Sequence, residues 1–182
     1  MPKPEQSSEV VLRLVQSDEP RPTLDDIFRR YCRYVAGVIV RLDGPGTEVD
    51  DLVQEVFVEA AAGIAHLRDP SAIKGWLATI AVRRVRRHLR LRRVWRFFGF
   101  ERNPHQSRLI DPGVSPVDRL LLRAVYRVLD DMPIEDRLAF GLHVIEGETM
   151  EAVAKHCGCS FATAKRRVSR VQRRIEEELP DG

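Results

Sequence analysis

Apolar residues recur along this chain at the three-to-four spacing of helices, and no stretch alternates as a half-buried strand would. From Leu24 to about Leu42 the apolar face carries Ile27, Tyr31, Tyr34, Val35, Val38 and Ile39, and Asp43-Gly44-Pro45-Gly46 stops it. From Val49 to about Leu67 the same spacing brings Leu52, Val53, Val56, Phe57, Ala60 and Ile64 together. Arg68-Asp69-Pro70-Ser71 is a break. A third helix is predicted from about Ala72, packed through Ile73, Trp76, Leu77, Ile80, Ala81, Val85 and Leu89. Periodicity then vanishes over 100–116, where Asn103-Pro104, Asp111-Pro112-Gly113 and Ser115-Pro116 read as a linker. Helices from about Val117 to Asp131 and from about Ile134 to Val144 follow. The expected fold is all-α: a helical domain over 23–99 and a second over 117–182, joined by a flexible linker long enough to leave them mobile. Residues 1–22 are polar apart from Val10–Val15 and read as a flexible leader, too poor in apolar residues for a secretory signal.

The end of the chain carries a sharper pattern. Thr149 can cap a helix whose first turn holds Glu151 and whose apolar side is Met150, Val153 and Ala154. Gly158 suits a left-handed C-cap, and Ser160 can cap the next helix. That last helix repeats Phe161, Ala164, Val168, Val171 and Ile175 on one face and sets Thr163, Lys165, Arg166, Arg167, Arg170, Arg173 and Arg174 around the rest. Two capped helices across a short glycine turn form a helix-turn-helix. A helix packed on one side and cationic on the other suits the DNA major groove.

Charge sharpens this picture through its distribution, since the net charge is only +3 over 182 residues. Glu48, Asp50, Asp51, Glu55 and Glu59 form an acidic stretch with no cation inside it. Arg83, Arg84, Arg86, Arg87, Arg90, Arg92, Arg93 and Arg96 form a basic run with no acid before Glu101. One acidic surface and two basic ones suggest two contacts with a nucleic acid. The acidic face, taken alone, reads rather as a solvated helix side. Three cysteines, Cys32, Cys157 and Cys159, make no disulfide framework and fit a reducing cytoplasm. Glu55 and Glu59 near His66 lack the matching ligand motifs of a di-metal bundle. His156 with Cys157 and Cys159 is too tightly spaced for zinc. No phosphate loop or activated nucleophile is present. The expectation is a protein that is no enzyme, needs no cofactor and does not insert into membranes.

Two of these stretches resemble a known family. Asp50-Asp51-Leu52-Val53-Gln54-Glu55-Val56-Phe57, followed by Gly75-Trp76-Leu77-Ala78-Thr79-Ile80-Ala81, is similar to the second conserved region of bacterial sigma factors. Leu129-Asp130-Asp131-Met132-Pro133, through Gly147-Glu148-Thr149, to Lys165-Arg166-Arg167-Val168 is similar to their fourth region. The short chain, with only a linker between the two, resembles the extracytoplasmic-function (ECF) group. The likeness implies a cytoplasmic initiation factor that binds core RNA polymerase and promoter DNA, in a group whose members are often held by an anti-sigma protein. The alternative is a two-domain helix-turn-helix regulator acting without polymerase.

Residue by residue, the resemblance implies that Asp51, Gln54, Glu55 and Glu59 face the polymerase, where complementary charge contributes register and rate. It places Arg83, Arg84, Arg86, Arg87 and Arg90 at phosphates near the minus-ten element. It places Ser160, Thr163, Lys165, Arg166, Arg167 and Arg170 at the minus-thirty-five element. Within that helix Arg166 and Arg170 lie furthest from the Ala164–Val168–Val171 stripe and should point into the groove, whereas Arg167 flanks the stripe and suits a phosphate. Trp76 could stack on unpaired bases, or pack in the core from its apolar side. Some residues depart from the family pattern. Arg83 stands where relatives carry Asn and Arg87 where they carry Asp, both adding positive charge. Ala164 and Val168 replace larger residues. Trp95, Phe97, Phe98 and Phe100 are unusual beside a linker, and packing against the chain's own surface is their expected role.

Overall fold

The computed structural model describes residues 23–44, 48–67, 69–99 and 115–179. Helix α1 spans Leu24–Asp43. Thr23 starts it with a reciprocal cap: its hydroxyl accepts from Asp26 N at 3.2 Å, and its own N–H donates to the Asp26 carboxylate at 3.0 Å. Helix α2 spans Val49–Gly63 and tightens into a 3-10 turn at Ile64–His66. Asp69 accepts from Ser71 N at 2.8 Å and opens a second 3-10 turn, Pro70–Ala72, that leads into α3, Ile73–Phe97. The three helices close on Ile27, Val35, Val38, Ile39, Leu42, Leu52, Val56, Phe57, Leu77, Ile80 and Val85, all buried. Each such side chain contributes about 1.5–3 kcal/mol by leaving water. Trp76 is half-buried against this core, its ring so close to Gly63 that an added Cβ would stand 2.8 Å from Cζ2. Packing is therefore its role in this structure.

The second half begins at Ser115, which accepts from Asp118 N at 3.1 Å and caps α4, Pro116–Asp131. Helix α5 spans Ile134–Phe140, and its last part widens into a π turn over Gly141–Ile145. The expected single helix to Val144 is thus two geometries end to end. Helices α6, Met150–Cys157, and α7, Phe161–Glu178, follow. Leu129, Leu138, Leu142, Val153, Ala164, Val168 and Val171 are buried among them.

The halves do not stand apart. Their apolar residues form one continuous cluster, and α3 packs on α5 and α6 while α1 meets the π turn. Two glycines mark the closest approach. A Cβ on Gly141 would meet Leu42 Cδ2 at 2.7 Å, and one on Gly44 would meet the Tyr126 ring at 2.8 Å. Gly44 also has φ +89°, a conformation that favours glycine. Helical periodicity shows which face of each helix is apolar, but not which helix it will meet. Residues 1–22 and 100–114, including the leader patch, most of the predicted linker and Phe100, lie outside the described residues.

Polar groups join the halves as well. Arg137 of α5 is buried; its Nε donates to Leu42 O at 3.0 Å and its Nη2 to Asp43 O at 2.6 Å. A guanidinium thus closes the C-terminal end of α1, where free carbonyls and the helix dipole favour a cation. Burial lowers its pKa, opposed by the nearby Asp130 and Asp43 carboxylates, with which it shares the junction. The Asp43 carboxylate, buried at an end where the dipole disfavours an anion, lies 3.0 Å from Arg92 and 3.3 Å from His88. Tyr126 donates to Arg41 O at 2.9 Å, and burial pushes its hydroxyl up to about 12. Arg41 pairs with Glu146, which holds the guanidinium protonated.

Candidate nucleic-acid and polymerase interfaces

The helix-turn-helix is built by its caps. Thr149 accepts from Ala152 N at 3.2 Å to start α6, and Gly158 adopts the left-handed conformation, φ 63° and ψ 42°, to end it. Ser160 accepts from Thr163 N at 3.2 Å to start α7, and the two hydroxyls lie 2.9 Å apart. Buried Ala164, Val168 and Val171 fix the rotation of α7 about its axis. Lys165 and Arg166 are exposed and, among the described residues, have no ion-pair partner. Arg167 is half-buried beside the stripe, 3.8 Å from Asp136 and 3.9 Å from Glu135. Arg170 is exposed, and its guanidinium reaches Asp136 at 2.5 Å instead of standing free. Phe161 heads the apolar pattern yet remains 48% exposed. Cys157 is buried in the same unit, which pushes its thiol up to about 11, so it behaves as a core group.

The arginine run lies along α3 but does not form one open basic surface. Arg83 donates to Glu59 at 2.6 Å. Arg84 bridges Glu59 at 2.8 Å and Glu55 at 3.1 Å. Arg86 and Arg90 approach one Glu135 oxygen at 3.0 and 3.1 Å. Arg92 pairs with Asp130 at 2.9 Å, and Arg93 donates to Met132 O at 2.7 Å. Of the five arginines expected at phosphates, Arg87 alone is exposed without a partner among the described residues.

The acidic face of α2 divides in the same way. Asp51 and Gln54 are exposed and unpaired among the described residues, whereas Glu55 and Glu59 take the cations of α3. The acids outside all earlier expectation are Asp130, Glu135 and Asp136. In the sequence Glu135 and Asp136 follow Pro133 and read as ordinary first-turn acids that suit a helix N-terminus. Nothing local marks them as partners for arginines on α3 and α7.

Two of the aromatic residues after the arginine run, Phe97 and Phe98, require a correction. They do not pack into the chain's own surface: Phe97 and Phe98 are 86% and 66% exposed and meet each other edge to face, with centroids 5.6 Å apart. Among the described residues no cluster of His, Cys, Asp or Glu is placed to hold a metal, and no helix is long and apolar enough to cross a membrane.

A capped cationic helix in a helix-turn-helix and a second helix rich in arginine are features of a nucleic-acid-binding protein, all-helical among the described residues. Comparison with known proteins narrows that class. Residues 27–94 match Sigma-70 region 2 and residues 122–175 match Sigma-70, region 4. The RNA polymerase sigma-H factor of Pseudomonas aeruginosa is 28% identical, over 96% of this chain and 94% of that protein. The ECF RNA polymerase sigma-E factor of Escherichia coli is 26% identical, over 82% of this chain and 83% of its own. Among solved structures, the sigma factor RpoE in complex with the anti-sigma factor NepR, from Bartonella quintana, superposes with a TM-score of 0.62. It is 25% identical and covers 85% of this chain and 94% of that one. CnrH in complex with the cytosolic domain of CnrY shares the fold, with a TM-score of 0.59 at 22% identity. This chain belongs to the sigma-70 family of RNA polymerase sigma factors, in its extracytoplasmic-function group.

Proposed function

We infer that this chain binds core RNA polymerase and directs it to promoters as an initiation factor, with no catalytic chemistry of its own. The observation that carries this reading is the pairing, in one chain, of the region 2 and region 4 matches with an acidic helix and a capped cationic one. We assign core docking to Asp51 and Gln54, with Glu55 and Glu59 at its border, and phosphate contact near the minus-ten element to Arg87, Arg83, Arg84, Arg86 and Arg90. Ser160, Thr163, Lys165, Arg166, Arg167 and Arg170 are assigned to the minus-thirty-five element, with Arg166 the clearest base-reading candidate because it projects freely from the second turn of α7. Work with core polymerase and promoter DNA places the protein in the cytoplasm. The likeness to a sigma factor seen bound to NepR supports an anti-sigma partner. The likeness to RNA polymerase sigma factors over most of the chain favours this reading over a regulator acting without polymerase.

Asp51→Lys tests the docking surface. Asp51 touches no cation among the described residues, so the change leaves the fold intact; Glu55→Lys would also repel Arg84 and confuse the result. Core affinity should fall while the circular dichroism spectrum stays the same. Unchanged affinity would remove α2 from the interface.

A further inference from the structure

The C-terminal end of α3 carries an exposed apolar strip. Leu91 is 49% exposed, Val94 51%, Trp95 56%, Phe97 86% and Phe98 66%. Phe98 caps α3, and its N–H still donates to Val94 O at 3.2 Å, so it keeps the helical register. At about 100° of turn per residue these side chains spread over roughly 160° of the helix surface. Arg87 and Arg90 precede the strip by one turn and share its side, because residues four apart on a helix stand one above the other. The surplus charge around the strip is positive. Arg87 meets no acid among the described residues. Arg93 donates to the carbonyls of Met132 and Asp130 at 2.7 and 3.5 Å, which leaves its charge uncompensated. Arg86 and Arg90 share one Glu135 oxygen.

Charge and shape together select what covers this strip. A second copy brings the same cations against the same strip and is opposed by like charge. Unpaired bases stack on rings, and Leu91 and Val94 offer none. A single partner helix packs along a seam narrower than the arc these side chains occupy. A bilayer interface takes a wide strip without needing a matching pocket. It places Trp and Phe at the headgroups and lets arginines reach lipid phosphates along their own stems. Anionic lipid supplies the complementary charge.

We propose that the end of α3 docks on an anionic phospholipid surface, with Leu91, Val94, Phe97 and Phe98 in the headgroup layer and Arg87 at lipid phosphates. The helix lies on the membrane and does not cross it, in keeping with the absence of a spanning helix among the described residues. Apolar contact and charge act together, and each alone gives only marginal attachment, so the binding is reversible and falls with salt. The contact uses the folded chain as it stands, because the side chains that enter the headgroups are already exposed.

The test uses the full chain and vesicles of phosphatidylglycerol with phosphatidylethanolamine, against vesicles of phosphatidylcholine. The chain has two tryptophans, so Trp76→Phe leaves Trp95 as the one reporter. The chain should co-sediment with the anionic vesicles and Trp95 emission should shift to the blue, with little change on phosphatidylcholine. Phe97→Ser with Phe98→Ser should lower the partition coefficient at least tenfold, since most of two exposed rings no longer enters the interface. Arg87→Gln should lower it about fivefold, the loss of one cation near an anionic surface. Circular dichroism should be the same for all forms. No sedimentation with anionic vesicles would overturn the proposal, and so would equal partition of the double variant or equal binding to phosphatidylcholine. Trp95 emission that responds to a single-stranded oligonucleotide but not to vesicles would assign the strip to nucleic acid instead. Self-association that the double variant abolishes, without vesicle binding, would assign it to a second copy. Pull-down with core polymerase keeps the two claims apart: vesicle binding needs no polymerase, and loss of core binding would count against the initiation-factor reading alone.

Discussion

Replacing Arg137 by Ala removes the group that ties the second half to the end of α1. The loss can be worked from its contacts. Two hydrogen bonds disappear, 3.0 Å to Leu42 O and 2.6 Å to Asp43 O, both within the buried junction. Each orphaned carbonyl costs about 1–3 kcal/mol if water does not reach it. Asp130 is not orphaned, because Arg92 and Arg96 remain beside it, and the Asp43 carboxylate keeps Arg92 and His88. Relief of the desolvation that lowers the Arg137 pKa offsets part of the cost. A net loss of about 3 kcal/mol follows, at the lower end of what breaking a buried charge pair costs. Urea unfolding at pH 7, followed by far-ultraviolet circular dichroism, measures it. The wild type should unfold in one transition, because the halves share a core, and the variant should lose stability and show two. Arg137→Lys should fall between them, since one ammonium cannot reach both carbonyls in the fork geometry. A loss below about 1 kcal/mol, well under the range for a broken buried pair, would mean that the guanidinium is not what holds the junction.

Three further outcomes are expected. Arg166→Ala should change which upstream-element bases are selected, by roughly 1–3 kcal/mol at one position, whereas Arg167→Ala should weaken binding evenly across sequences; the opposite pattern in a selection experiment would reverse the assigned orientation of α7. Arg87→Gln should flatten the log–log salt dependence of holoenzyme binding by about 0.9, or about 0.7 on a single strand; an unchanged slope would place this cation away from DNA. His156 is 8% exposed, and burial lowers its pKa below 6.5, so below that value the unfolded chain takes up a proton that the folded one refuses. Its share of stability is complete above pH 6.5 and is lost as pH falls through the lower folded value, with a slope of at most about 1.4 kcal/mol per pH unit. That share should vanish in His156→Gln, and an identical pH profile for wild type and variant would contradict it.

Much of the fold is legible in the sequence because helices announce themselves locally. The caps at Thr149 and Ser160, the turn at Gly158 and the apolar spacing of α1 to α3 depend on neighbours within a few residues. Trp76 is readable for the same reason, since its place on the apolar side predicts packing, which the structure makes against Gly63. The widening of α5 at Gly141 is not, because the register of a helix end depends on what it packs against. Least legible is the distribution of charge in space. Arg86 and Glu135 are 49 positions apart by their numbers, and no local rule pairs them. A run of arginines therefore reads as one basic surface, while the fold divides it among Glu55, Glu59, Asp130 and Glu135. Phe97 and Phe98 fail the other way: aromatic residues beside a linker suggest docking, but both are exposed among the described residues.

Transcription reconstituted with core RNA polymerase on a genomic promoter library tests the central claim most directly. The chain should form a stable complex with core and yield transcripts that start at defined positions and share upstream and downstream elements. Core alone should give none of them, and Asp51→Lys should lower their yield without changing the shared elements. DNA binding by the chain with no complex and no start sites dependent on it would contradict the account.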